Sequence, residues 1–176
     1  MVLIYRTALR LMGRHAWVTP AVGSDPLRDM ATDVSRRWSN VPHLTTVDVA
    51  AQLSSRQNRI VLFDVREPEE FAVSRLRGAR SLPPHSRKAP LQEAIGLCPP
   101  VELVVFYCAV GVRSSAMANR WHQEADDRDI LVANLAGGLF RWANEGRPLV
   151  NDQGVTTAVH PFNRHWSQFL VSKDDR

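Results

Sequence analysis

The sequence predicts an α/β fold in which a mostly parallel sheet is covered by helices on both faces. Short apolar runs of strand length alternate along the chain with stretches of helical periodicity, and this alternation is typical of parallel sheets. The longest such run, VELVVFYC at 101–108, predicts the central strand. The chain has 176 residues, 44% of them hydrophobic, which is enough for one core without metals or disulfides.

The first half of the predicted core holds two helices and two strands. A threonine followed by apolar residues at helical spacing predicts a helix over 45–53. The apolar run at 59–65 ends near a carboxylate and predicts a buried strand. A helix is predicted within 67–76, because Pro68 fits a first turn and the helix dipole favours the neighbouring acids. Residues 78–83 predict a short strand that two prolines stop.

The second half continues the alternation. Residues 90–97 predict a helix, and the central strand at 101–108 follows. Apolar residues at helical spacing predict the next helix over 114–125. Residues 129–135 predict another strand, and two glycines then open a last helix over 139–146, which ends on a glycine.

Segments of different character flank this regular region, which covers 42–150. Residues 1–41 form a basic extension with a turn-rich break and a possible short helix over 29–40. Three arginines in it lie four residues apart and suit either an amphipathic helix of a cytoplasmic protein, which we favour, or a mitochondrial transit peptide: Arg6, Arg10 and Arg14. In the tail, 151–176, apolar spacing predicts a helix over 159–170 that docks on the domain.

Charge and cysteine content narrow the function classes. The net charge is +4, from 22 basic against 18 acidic residues, which favours small anionic substrates or nucleic acid. No basic run carries interleaved aromatics, so nucleic-acid binding is disfavoured, and no apolar stretch is long enough for a membrane helix. The two cysteines, Cys98 and Cys108, make neither a disulfide framework nor a zinc pattern, and they favour a reducing compartment without a metal site.

The segment YCAVGVRSSA, 107–116, contains the strongest candidate for chemistry. Cys108 ends the central strand, and a loop without polar side chains then runs into a helix that begins near Ser114. Gly111 permits the positive φ with which the loop amides can turn inward and form an anion nest. The helix N-terminus and the Arg113 guanidinium add positive charge, and together these features favour a nucleophilic thiolate. The alternative is that Cys108 is a small core hydrophobe.

The length of this loop separates two kinds of substrate. Cys108 and Arg113 define a Cys-x4-Arg loop, whereas cysteine phosphatases use Cys-x5-Arg to wrap all the oxygens of a phosphoryl group. The tighter ring suits the one extra sulfur atom of a persulfide. The loop therefore favours transfer of a sulfane sulfur over hydrolysis of a phosphate ester.

Three blocks, in order, resemble the rhodanese family of sulfurtransferases. The first is LFDVREPEEF at 62–71 with GARSLP at 78–83, similar to the family's Asp-Val-Arg-Glu segment and the strand after it. The second is CAVGVRS at 108–114, similar to the Cys-x-x-Gly-x-Arg-Ser loop. The third is NLAGGLFRWANEGRPL at 134–149, similar to the Gly-Gly-x-x-x-Trp helix. Together they match one rhodanese domain over roughly 42–150.

The resemblance implies a five-stranded, mostly parallel sheet and a two-step reaction. Cys108 would take a sulfane sulfur from a small anionic donor such as thiosulfate and pass it to a thiol or to cyanide, without a metal or organic cofactor. The apolar Ala109 and Val110 leave room for a bulkier or protein-borne donor. A second hypothesis is a persulfide carrier or regulatory module served by a partner protein. Asp64 and Arg66 would support the loop. The donor would be bound by the loop residues Ala109, Val110, Gly111, Val112, Arg113 and Ser114.

Overall fold

The structure is a computed structural model that describes residues 25–55, 59–86, 101–126 and 130–171. The expected helix at 90–97, Cys98 and the arginine-rich residues 1–24 lie outside these ranges. The helices are α1 (Pro26–Arg37), α2 (Thr46–Ser55), α3 (Pro68–Val73), α4 (Val112–Asp126), α5 (Gly138–Asn144) and α6 (Arg164–Ser167). The strands are β1 (His43–Leu44), β2 (Ile60–Asp64), β3 (Arg80–Ser81), β4 (Leu103–Tyr107), β5 (Leu131–Leu135), β6 (Leu149–Asn151) and β7 (Gly154–Thr156).

Five strands form one sheet in the order β1-β5-β4-β2-β3, and every pair in it is parallel. The predicted α/β architecture is therefore confirmed, and β1 is the strand that no sequence pattern predicted. All five residues of β4 are buried, as expected for the central strand. Because the strands are parallel, β2, β4 and β5 all end at the same edge of the sheet, where ligands of such sheets bind.

Large apolar side chains on neighbouring strands form the centre of the core. Phe63 on β2 and Phe106 on β4 are paired in register, and their rings stack with centroids 5.5 Å apart. Both are almost completely buried, as are Trp121 on α4 and Trp142 on α5. This packing fixes the carboxyl edge of the sheet against the helices that follow it.

Helix α1 packs against the same core although it precedes the regular region. Leu27, Met30 and Val34 are buried on one of its faces, and Trp38 just after it is 9% exposed. Asp25 caps the helix by accepting a hydrogen bond from the Arg28 amide at 3.1 Å. The part of the predicted extension that the structure describes thus contributes side chains to the domain core.

Two features at the carboxyl-terminal end differ from the sequence predictions. Strands β6 and β7 form an antiparallel hairpin that was not predicted, because strands of three residues are too short to show an alternating pattern. The tail helix predicted over 159–170 is wrong in extent, since α6 covers only Arg164–Ser167. It starts there because the Asn163 side chain accepts a hydrogen bond from the Trp166 amide and acts as its N-cap.

The tail nevertheless packs on the domain. Phe169 is 6% exposed, and its carbonyl accepts a hydrogen bond from Asn144 Nδ2 on α5 at 2.8 Å. Of the helices in the described ranges, none combines the length and the apolar character that crossing a bilayer requires.

Candidate active site

The cysteine loop lies where β4 gives way to α4, at the carboxyl edge of the sheet. Cys108 follows the last residue of β4, and α4 begins at Val112. Gly111 has φ of 99°, in the region that favours glycine, as the sequence predicted. The Ser115 amide and hydroxyl both donate to the Gly111 carbonyl, at 3.0 and 2.7 Å, and these bonds tie the curled loop to the first turn of the helix.

The sulfur of Cys108 is buried but lies among polar groups. Cys108 is 1% exposed, and its Sγ atom accepts a hydrogen bond from the Gly111 amide at 3.2 Å. The Ser114 hydroxyl lies 3.5 Å from the same atom. Of the loop amides predicted to turn inward, only that of Gly111 bonds to the sulfur in the described structure. Negative charge on Sγ is therefore stabilised by a fixed donor at the N-terminus of α4.

Helix α5 supports the outer side of the loop. The Leu139 amide donates to the Cys108 carbonyl at 2.8 Å, and the Phe140 amide donates to the Ala109 carbonyl at 2.9 Å. A Cβ on Gly138 would lie only 2.5 Å from the Cys108 carbonyl oxygen, so glycine allows this close approach. With these carbonyls held against α5, the peptide units of the loop cannot turn over without losing two hydrogen bonds.

Arg113 is held by a carboxylate that the sequence analysis did not identify. Its NH1 and NH2 donate to the two carboxylate oxygens of Glu70 at 2.7 and 2.8 Å. Burial favours the neutral form of Glu70, but the hydrogen bonds and charge of Arg113 hold its pKa below the ordinary value. Burial likewise opposes the charge of Arg113, yet Glu70 and the nearby Cys108 raise the pKa of the guanidinium.

A residue of the tail covers Arg113. The Arg113 guanidinium lies 4.8 Å from the ring centroid of Phe162, a cation–π contact. Phe162 has φ of 64° and is the described non-glycine residue with positive φ. The amide of Asn163 donates to the Pro161 carbonyl at 2.8 Å across it, which makes a γ-turn, a strained conformation for a bulky residue. The tail is thus held in a strained turn beside the cysteine loop.

Asp64 and Arg66 form a second ion pair at the end of β2, where Asp64 is paired in register with Tyr107. Arg66 Nε and NH2 bond to the Asp64 carboxylate at 2.8 and 2.6 Å, and NH2 also donates to the Ser74 carbonyl. Both side chains are completely buried. Because neither side chain has exposed surface, this pair suits the supporting role expected for Asp64 and Arg66 rather than contact with a donor.

The comparisons with known proteins identify the family. Residues 46–145, more than half of the chain, match the Rhodanese-like domain family. The chain belongs to the rhodanese family.

The relatives of this rhodanese agree with its fold. A protein named "Sulfurtransferase" from Allochromatium vinosum is 34% identical over 95 residues, which are 54% of this chain and 82% of the relative. A thiosulfate sulfurtransferase structure from Pseudomonas aeruginosa is 21% identical, with a TM-score of 0.54 over 82% of this chain and 27% of that one. The BH2092 protein structure from Bacillus halodurans is 16% identical, with a TM-score of 0.54 over 78% and 97%. The family match and the relative from Allochromatium vinosum support sulfur transfer as the general activity.

Two histidines of this rhodanese lie outside the cysteine loop. His85 is exposed in the loop after β3, and His165 forms an edge contact with Trp166 on α6. Within residues 25–55, 59–86, 101–126 and 130–171, no cluster of three or more His, Cys, Asp or Glu side chains could hold a metal ion.

Sequence reasoning about this rhodanese missed four residues that surround the loop: Glu70, Asn134, Gly138 and Phe162. Asn134 accepts the Ser114 hydroxyl at 2.6 Å. The glycine pair at 137–138 was recognised as a helix start, but its contact with the loop was not predicted. Glu70 was seen only as a helix-dipole acid, and an acid in a short helix after a buried strand is a weak signal for a site.

Proposed function

We propose that this rhodanese is a sulfurtransferase that moves a sulfane sulfur from thiosulfate, through a persulfide on Cys108, to a thiol or to cyanide. The observation that carries the proposal is the bond from the Gly111 amide to Cys108 Sγ, in a curled loop at the N-terminus of a fifteen-residue helix. A buried sulfur with a fixed N–H donor is suited to carry negative charge and to act as a nucleophile.

In the first half-reaction, the Cys108 thiolate attacks the outer sulfur of thiosulfate. A new S–S bond forms, the bond to the sulfite sulfur breaks, and sulfite leaves with the electron pair. One thiolate and one dianion become one persulfide anion and one sulfite dianion, so atoms and charge balance. The loop amides would then face the outer sulfur, and their arrangement lowers the cost of its charge.

In the second half-reaction, an acceptor attacks the outer sulfur of the persulfide. Cyanide takes this sulfur as thiocyanate and releases the Cys108 thiolate. A thiolate acceptor reacts with the protonated persulfide and leaves as a new persulfide that keeps the proton. The loop carbonyls held by α5 keep the amides in place through both steps, so the site needs no rearrangement between them.

A carrier served by a partner protein is the second candidate, and the state of Arg113 favours it. The Glu70 carboxylate occupies both terminal nitrogens of Arg113, and Phe162 lies against the guanidinium. Little of this cation is left for the sulfonate end of a small donor. A persulfide presented by an organic thiol or a protein places no such demand on Arg113.

Free thiol and persulfide chemistry both suit a reducing compartment, and we propose that the protein acts in the cytoplasm.

The test of the proposal is Cys108→Ser, with Cys98→Ser as the matched control. The serine variant should lose sulfur transfer because its hydroxyl is nearly isosteric but far less nucleophilic at neutral pH, while its thermal unfolding stays unchanged. Intact-mass spectrometry after thiosulfate should show one added sulfur on the unaltered protein and on Cys98→Ser, and none on Cys108→Ser. Sulfur loading that persists in folded Cys108→Ser would contradict the proposal.

Steady-state thiosulfate:cyanide turnover separates the enzyme from the carrier. Repeated turnover supports the enzyme. Stoichiometric persulfide on Cys108 with slow turnover supports the carrier. Release of phosphate from an aryl phosphate that is lost in Cys108→Ser would instead favour the phosphatase that the loop length disfavours.

A further inference from the structure

A continuous chain of hydrogen bonds leads from the Cys108 sulfur to the edge strand β1. Ser114 Oγ lies 3.5 Å from Cys108 Sγ and 2.6 Å from Asn134 Oδ1 on β5. Asn134 Nδ2 lies 3.1 Å from His43 Nδ1 on β1, and His43 Nε2 lies 3.1 Å from the carbonyl oxygen of Trp38. Ser114 and Asn134 are completely buried, and His43 is half-buried. His43 and Asn134 are also paired in register on adjacent strands, so their side chains share one face of the sheet.

The direction of each bond follows from the end of the chain at Trp38. A carbonyl oxygen can only accept, so His43 Nε2 carries a proton and, in the neutral ring, Nδ1 is an acceptor. The Asn134 amide must therefore donate to His43 through Nδ2 and turn its oxygen toward Ser114. The Ser114 hydroxyl has one proton, and it donates that proton to Asn134. Its lone pairs are left facing the sulfur, where they can accept from a thiol but cannot stabilise a thiolate.

A second proton on His43 reverses this order. Nδ1 would become a donor facing the Nδ2 donor of Asn134, an arrangement that leaves two donors opposed without an acceptor between them. Rotation of the amide presents its oxygen to His43 and its NH₂ to Ser114. Ser114 Oγ then accepts from Asn134, and its proton is free to point at Cys108 Sγ. The sulfur gains a second donor beside the Gly111 amide.

We infer that Asn134 and His43 are positioning residues that set, through Ser114, whether the Cys108 sulfur receives a hydrogen bond from the serine hydroxyl. Protonation of His43 is thereby coupled to thiolate formation at Cys108, and by linkage the thiolate favours the protonated ring. The inference rests on the proposed function only in taking Cys108 as the nucleophile.

The hydrogen-bonded chain of His43, Asn134 and Ser114, here called the relay, links the His43 ring to the sulfur. The charged groups near β1 bond to other partners. The ring of His43 makes no ion pair among the described residues; its polar contacts are the Trp38 carbonyl and the Asn134 amide. Two carboxylates and two arginines lie on segments near β1: Asp48, Glu145, Arg147, which pairs with Glu145, and Arg37, which lies over the Trp38 ring. Asp48 accepts from the Thr45 amide and hydroxyl, and Glu145 accepts from the Thr46 hydroxyl at 2.5 Å. At the other end of the relay, the Arg113 guanidinium lies near Cys108 and is paired with the Glu70 carboxylate.

Alkylation of Cys108 by iodoacetamide, followed across pH on the full chain carrying Cys98→Ser, tests the inference without any sulfur donor. As the pH falls from about 8 to about 5, the interval in which imidazoles gain a proton, the rate should rise toward about fivefold above the value extrapolated from the alkaline limb for a single titrating thiol, the factor given by one net hydrogen bond. This excess should vanish in Ser114→Ala and in His43→Gln. It should remain in the control His122→Gln on α4.

The Ser114→Ala variant decides the mechanism because it keeps the histidine and removes only the relay. An excess that survives in it would mean that the charge of His43 acts through space, and the relay would be wrong. A rate profile without any excess in the parent protein would also overturn the inference. Failure of sulfur loading with an intact excess would instead contradict the proposed function alone.

Nitrogen-15 NMR of the histidine rings gives a readout that needs no variant and no alkylation. Neutral His43 should be the Nε2–H tautomer, and the Asn134 side-chain NH₂ signals should shift together with the protonation of the ring. Observation of the Nδ1–H tautomer, or of amide signals that do not follow the titration, would overturn the inference even if a variant failed to fold.

Discussion

Two arginine–carboxylate pairs lie near the cysteine loop, and their chemistry is the same while their surroundings differ. Asp64–Arg66 joins residues two apart and has no exposed surface on either side chain. Glu70–Arg113 joins residues 43 apart, and the arginine side chain keeps 11% of its surface exposed. The first pair fixes a turn within one segment. The second ties α3 to the end of the cysteine loop and so determines where a cation of the site lies.

This difference shows that burial, and not bond geometry, separates a structural pair from one that borders the site. Both arginines are gripped by two carboxylate oxygens. Burial works against the charge of Arg66, but Asp64 raises the pKa of its guanidinium above the ordinary value. Arg113 shows the same balance with Glu70, yet it also feels the charge of Cys108. Of the two pairs, Glu70–Arg113 is the one whose arginine is affected by a change of charge on the Cys108 sulfur.

Asp64→Asn should have the largest effect, on stability. The substitution leaves the Arg66 charge buried and uncompensated, which costs about 3–5 kcal/mol in the free energy of unfolding. Urea unfolding followed by circular dichroism measures this loss. Replacement of both partners, Asp64→Leu with Arg66→Met, should recover part of it, because no charge is then left buried. A single variant as stable as the parent protein would mean that the pair is not structural.

Glu70→Gln should have a smaller effect on stability and a specific effect on activity. The loss is expected to be about 2 kcal/mol, between the values for exposed and fully buried pairs. Removal of the carboxylate frees Arg113 donors for an oxyanion, so the KM for thiosulfate should fall severalfold. Glu69→Gln, an exposed acid on the same helix, is the control and should change neither quantity. A KM unchanged in Glu70→Gln would mean that Glu70 does not withhold Arg113 from the donor.

Acid should remove the contribution of Glu70. Its pKa is lowered in the folded state from an ordinary value of 4.5, because Arg113 outweighs the burial that would raise it. The unfolded chain therefore takes up the proton first as pH falls, so the stabilisation is full above the ordinary value and is lost as pH drops through the folded pKa. The difference in unfolding free energy between the parent protein and Glu70→Gln should shrink below about pH 4.5. A difference that stays constant into that range would show that the pair is not ionic.

Two substitutions of Phe162 should have the smallest effects and should separate its ring from its backbone. Phe162→Ala removes the cation–π contact with Arg113 and keeps a strained φ of 64°. Phe162→Gly removes the same contact and relieves the strain, so it should be about 1 kcal/mol more stable than the alanine variant. Thermal unfolding of the two proteins checks this order. If alanine were the more stable, the turn at Phe162 would not be strained in solution.

Local sequence patterns predicted much of the fold. The central strand, the glycine-permitted curl after Cys108 and the helix that begins beside it were all visible, because each depends on neighbours within a few residues. The tail was misjudged because apolar spacing over 159–170 suggested one helix. Asn163 competes locally as an N-cap, and Phe162 turns the chain just before it.

By itself, the sequence determined the α/β alternation, the position of the nucleophile candidate and the length of its loop. The tertiary structure alone decided which carboxylate holds Arg113, which side chain accepts the Ser114 hydrogen bond and which ring lies against the Arg113 guanidinium. Glu70, Asn134 and Phe162 each come from a different part of the chain, at separations of 43, 20 and 49 residues from their partners Arg113, Ser114 and Arg113. Periodicity and capping record the surroundings of a residue within a turn or two, whereas contacts at such distances depend on how whole elements pack.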